Sequence, residues 1–174
     1  FAFAVLVIEL VAQFATLGLK RGLAEQLSAP GADHRTVVWD GMFVALVASA
    51  IGSSILFLLP QLMFPNGDVG GVDRWMALLV FFIAGTEISL AASAYKYDIV
   101  ASVRARAVVE PWVISGAAAA FWYVSVRDGL MMSYAAAMIA TFLTALVPMV
   151  RHYGGPRGWR PQPAKLLEVA RRNA

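Results

Sequence analysis

Five long apolar runs, separated by short polar breaks, dominate the chain. Residues 1–19 are apolar except for Glu9, Gln13 and Thr16. Residues 41–59 carry no charge, 75–95 carry only Glu87, 107–126 carry only Glu110, and 129–150 carry none. A helix rises about 1.5 Å per residue, so about 20 apolar residues cross roughly 30 Å of hydrocarbon. In lipid the backbone must satisfy its polar groups within each segment, and the runs lack strand-like alternation. The pattern predicts an all-α, polytopic membrane helix bundle with five transmembrane helices.

The breaks are equally legible. KRGLAEQLSA (20–29) is too polar to span and reads as an interfacial helix on the membrane surface. QLMFPNGDVGGVDR (61–74) is a turn-rich loop. Arg127 and Asp128 alone join the last two runs, which makes those helices antiparallel neighbours. Beyond residue 150, RHYGGPRGWRPQ reads as a flexible basic linker, and PAKLLEVARRNA resumes a helical pattern with Pro163 in its first turn. The division is a transmembrane bundle over 1–150 and a cytoplasmic linker with an amphipathic helix over 151–174.

Composition agrees. Of 174 residues, 60% are hydrophobic and 14% charged, with a mean hydropathy of +0.69. A soluble domain carries about 45–50% apolar and about 25% charged residues. Soluble and disordered classes are excluded. Cysteine is absent, which removes disulfides, thiolate metal sites and thiol nucleophiles.

The net charge of +3 is informative only through its placement. Of the 14 Lys and Arg, 12 follow the first, third and fifth runs; only Arg74 and Arg127 lie on the other side. The positive-inside rule predicts that the basic side is cytoplasmic, with residue 1 outside and the C-terminal end inside. The same placement accounts for the basic charge without nucleic acid as a partner. A start outside, on Phe1, predicts one further helix upstream, and the helical pattern at 163–174 predicts more helices of the same chain downstream.

Ionisable groups inside a span are expensive and default to functional candidates. Glu9, Gln13, Thr16 and Lys20 follow i, i+4, i+7, i+11, a polar stripe along the first helix. Thr86, Ser89 and Ser93 form a hydroxyl row beside Glu87 in the third. These residues are candidates for a cavity wall with coupling carboxylates; the competing role is to fasten helices together. Glu110, before Pro111, reads as a carboxylate at a helix N-terminus. On these boundaries no span carries Arg or Lys away from its ends. Small-residue faces at Ala45/Ser49/Gly52/Ser53, Ser115/Gly116/Ala119/Ala120 and Ser133/Ala137/Thr141/Thr144 permit close helix contact. No P-loop, nucleophile elbow or metal-ligand spacing is present, so no enzyme, cofactor or metal is expected.

Three stretches carry a family resemblance: FATLGLKRGLAEQLS (14–28), SAYKYDIVASVRARAVVEPW (93–112) and PAKLLEVARRNA (163–174). With the helices so arranged, the chain resembles polysaccharide or lipopolysaccharide biosynthesis flippases of the multidrug, oligosaccharidyl-lipid and polysaccharide exporter superfamily. The resemblance places it over helices two to six of the first lobe of a two-lobe transporter. It implies alternating access in the bacterial inner membrane, moving a lipid-linked sugar between leaflets, with a proton or sodium ion as possible coupling partner. A cation-coupled multidrug antiporter of the same superfamily is the alternative. A membrane-embedded glycosyltransferase or acyltransferase is the alternative of another class.

Overall fold

The computed structural model describes residues 1–161 apart from Leu17, Asn66, Asp68 and 124–127. Every regular element among the described residues is helical. In order they are α1 (Ala2–Ala15), α2 (Leu19–Leu27), α3 (His34–Leu58), α4 (Gly71–Trp75), α5 (Leu79–Tyr95), α6 (Ile99–Ser102), α7 (Glu110–Trp122) and α8 (Gly129–Tyr153). A 3-10 turn, Met76–Leu78, joins α4 to α5, and a π-helical stretch, Val103–Val109, joins α6 to α7.

Three helices are long and apolar enough to cross a membrane: His34–Leu58, Asp73–Tyr95 and Gly129–Tyr153. This is the pattern of a membrane protein. The other two expected spans come out differently. Helix α1 has 14 residues, because Gly18 adopts a left-handed φ of 71° and turns the chain into α2. The helix through α6 and α7 carries Arg104, Arg106 and Glu110, which lower its hydropathy below that of a plain span.

Helix α5 is central. Most of its apolar stretch is buried, whereas less than half of those of α3 and α8 is. It packs on α1, α2, α3 and α8, and α7 packs mainly on α8. Helix α1 buries Ala4, Ile8, Ala12 and Ala15, one face at i, i+4, i+8, i+11, and exposes Phe3, Leu6, Leu10 and Phe14. Helix α3 likewise exposes Phe43, Val47, Ile51, Ile55 and Leu58. In a soluble protein such stripes would be a liability; toward lipid they are the expected solvent face.

Three glycine-bearing contacts set the spacing. A Cβ on Gly85 of α5 would enter the ring of Phe142 on α8, and one on Gly52 of α3 would meet Val11 on α1. A Cβ on Gly129 would lie 3.1 Å from the Phe121 carbonyl, so α7 and α8 close tightly at that end. The small faces of α3 and α8 are buried as expected, at Ala45, Ser49, Ser53, Ser133, Ala137 and Thr141. That of α7 is not: Ser115, Gly116, Ala119 and Ala120 are exposed, and α7 buries no residue fully.

One end of the bundle gathers α2, the start of α3, the α5–α6 turn and the end of α8. Leu19, Leu23 and Leu27 seat α2 against Val38, Met42, Ile88, Ala92 and Met149. The segment after α8 is not a loose linker. Arg35 donates to the carbonyls of Gly155, at 3.0 Å from Nε, and Arg157; Trp39 Nε1 donates to Gly154 O at 3.2 Å. Trp159 Nε1 donates to the Asp40 carboxylate at 2.8 Å. The expected helix at 163–174 and the Arg127 side of the α7–α8 connection lie outside the described residues.

Candidate functional site: a charged seam between the helices

The residues that meet here come from α1, α5, the π-helical stretch, α7 and α8. Arg106 is the hub. Its guanidinium donates to Glu87 on α5 and, at 2.9 Å, to Glu110 one turn further along its own helix. The side chains of Arg106, Glu87 and Glu110 are 34%, 15% and 24% exposed. At the helical rise, Arg106 lies about 10 Å and Glu87 about 12 Å inward from the α5–α6 turn. Both ends of the ion pair therefore lie at the same depth, well inside the bundle.

Pro111 explains the local backbone. It has no N–H, and its ring crowds the carbonyl four residues before it. The preceding turns widen into the π-helical stretch instead of ending the helix. Turns of this kind often occur at functional sites. Widening carries Arg106 toward Glu87 while keeping the i, i+4 contact with Glu110. Glu110 is thus not a carboxylate on a free helix N-terminus, as the proline implied; it completes an ion-pair cluster. Arg106 is likewise a group inside the bundle, not part of a surface connection.

A second polar contact extends the seam. Tyr134 of α8 donates its hydroxyl to Glu9 of α1 at 3.2 Å. Tyr134 also lies within electrostatic reach of Glu110 and Arg106. Glu9, Tyr134, Glu110, Arg106 and Glu87 thus line one seam, contributed by α1, α8, α7, the π-helical stretch and α5. Gln13 is exposed on the same helix as Glu9, one turn on.

The hydroxyl candidates are placed differently. Thr16 is 2% exposed and donates to Gln13 O at 2.7 Å. Thr86 donates to Phe82 O at 2.7 Å and Ser89 to Gly85 O at 2.8 Å. Both are buried, so these hydroxyls return to their own helix and face packing, not the half-open seam. Ser93 is fully buried and its Oγ finds no partner among the described residues, as is true of Thr141 Oγ1. The sequence reading brings Glu9 and Glu87 to the site but misses Arg106 and Tyr134. The i, i+4 spacing of Arg106 and Glu110 is the signal that could have found the first. No sequence signal marks the second.

The Arg106 guanidinium with the partly buried Glu87 and Glu110, and the exposed Glu9 beside Tyr134, can hold charge, release a proton, or exchange a carboxylate for another anion on Arg106. No group of three or more His, Cys, Asp or Glu suited to a metal ion occurs among the described residues. Comparison with protein-family models, characterised proteins and solved structures gives no match.

Proposed function

We propose that the chain belongs to a membrane transporter that flips a lipid-linked saccharide between leaflets of the bacterial inner membrane by alternating access. The observation that carries this reading is the partly buried Glu87–Arg106–Glu110 cluster between the helices of an apolar bundle. An ion cluster of this kind costs desolvation that plain packing would avoid, so it is kept for use. A guanidinium fits phosphate in two parallel hydrogen bonds. The phosphate of a lipid carrier would displace one carboxylate from Arg106, and the freed carboxylate would take up a proton. In this reading α1, α3, α5, α6–α7 and α8 are five spans of a six-helix lobe. The basic end is cytoplasmic and the 59–75 loop is periplasmic. The short α1 and the polar α6–α7 are the two spans that flank the transport path.

The test is export of surface saccharide from cells expressing the complete gene at matched levels. Arg106→Ala abolishes export, Arg106→Lys retains part of it, and Glu87→Gln lowers it. Undiminished export with Arg106→Ala overturns the proposal. A second reading, cation-coupled antiport of organic cations, is favoured by the excess of carboxylates over guanidinium in the seam. Dye efflux driven by a cation gradient, without saccharide export, would select it.

A further inference from the structure

A separate cavity of about 460 Å³ opens at the basic end, between α6 and the last turns of α8. It shares no side chain with the charged seam. Pro148 on its wall lies inside α8 and cannot donate to the Thr144 carbonyl, so the helix ladder lacks a hydrogen bond there. Thr144 and Pro148 line the hollow on the α8 side. Arg104 enters from the π-helical stretch, and Arg151 and His152 from α8. Among the described residues Asp98 is the one acidic group on its wall. It caps α6 by accepting from Ala101 N at 3.1 Å and holds His152 Nε2 at 3.0 Å. Two arginines against one aspartate leave the hollow net positive. Val100 and Val147 form its apolar lip, 62% and 50% exposed. Val147 continues the exposed stripe of Ile139 and Leu143 along α8.

A cationic hollow whose rim runs directly into a lipid-facing stripe has the two-part chemistry of an anionic lipid: a phosphate head and an acyl chain. We infer that Arg104 and Arg151 bind the headgroup phosphate of an anionic membrane lipid in this cavity, with its chain along Val147 and Leu143. Basic pockets between spanning helices are suited to such headgroups, and each basic side chain near a membrane surface adds measurably to attraction. The inference does not depend on what the protein transports.

The experiment uses the full-length protein purified in a neutral detergent, titrated with phosphatidylglycerol, phosphatidylcholine or inorganic phosphate, with bound species read by native mass spectrometry. Phosphatidylglycerol is retained and phosphatidylcholine is not. Arg104→Ala with Arg151→Ala weakens phosphatidylglycerol retention by about tenfold or more. Arg104→Lys with Arg151→Lys restores most of it. Should the double alanine variant not fold, Arg104→Gln and Arg151→Gln taken singly each weaken retention several-fold. Equal retention of both lipids, or retention insensitive to these substitutions, overturns the inference. Inorganic phosphate binding that phosphatidylglycerol cannot displace overturns it in favour of a soluble ligand.

Discussion

Arg106 sits between two carboxylates, and its removal leaves both facing each other in a poorly solvated place. Breaking a buried pair by deleting one partner costs about 3–5 kcal/mol, and partial exposure here reduces that to about 2 kcal/mol. Thermal unfolding in detergent should show Arg106→Ala clearly destabilised and Arg106→Lys much less so. Glu87→Gln combined with Arg106→Ala should be less harmful than the two losses added, since each removes the reason for the other. Strict additivity would mean that the two residues do not act as a pair. Asp98 offers a second check, outside the spans. The hydrogen bond from His152, and then the Ala101 amide, hold its carboxyl below the ordinary value of 3.8. Its folded-state pKa is depressed, so its contribution to stability is complete above that value and is lost as pH falls through the lower one. The difference in melting temperature between Asp98→Asn and the native chain should therefore shrink well below pH 3.8. A gap that persists in strong acid would show that the aspartate acts through packing and not through charge.

At the scale of the element, the contact of α5 with α8 depends on the missing side chain of Gly85. Any Cβ there meets the Phe142 ring, which also stands edge-on to Phe82 with centroids 5.8 Å apart. Gly85→Ala should destabilise by about 1–3 kcal/mol through overpacking. Phe142→Leu should recover part of that loss, and the pair is read by double-mutant thermal melts. If Phe142→Leu worsens Gly85→Ala, the ring is not the obstacle. The element scale is also where the sequence is most and least legible. Apolar runs locate α3, α5 and α8, because hydrophobic burial and span length act on every residue of a long segment. The Leu19/Leu23/Leu27 stripe likewise marks α2, whose docking follows from its periodicity. The α6–α7 helix misleads, because Pro111 ordinarily signals a helix start, whereas here the chain absorbs it by widening the turns before it. That one backbone adjustment moves Arg106 from an apparent loop into the bundle. It is a tertiary effect, so only two of the seam's five residues, Glu9 and Glu87, could be read in advance as site residues. The hydroxyls beside Glu87 misled for a simpler reason. Spacing places Thr86, Ser89 and Ser93 near the carboxylate but does not say which of them face packed neighbours.

For the whole molecule, the alternation of helix directions brings the starts of α3 and α6 and the ends of α2, α5 and α8 to one end. The 59–75 loop and the start of α8 lie at the other. If the basic end is cytoplasmic, cysteines introduced at Gly67 and Pro156 will differ. The chain has no native cysteine to confuse the labelling. Gly67→Cys should react in intact cells with a thiol reagent that cannot cross the inner membrane, and Pro156→Cys only after permeabilisation. The reverse pattern would invert the orientation and move the cavity beside Pro148 to the other leaflet.

The segment that returns over α3 has a mechanical consequence. Helices α3 and α8 touch little along their lengths, but Gly154, Gly155, Arg157 and Trp159 fasten the end of α8 to Arg35, Trp39 and Asp40. The strap spans the gap like a tendon attached at both bones. Any tilt of α3 would pull first on the strap and only then on α8. Residues 154–159 are thus tied by hydrogen bonds to α3, although they are joined in sequence to α8.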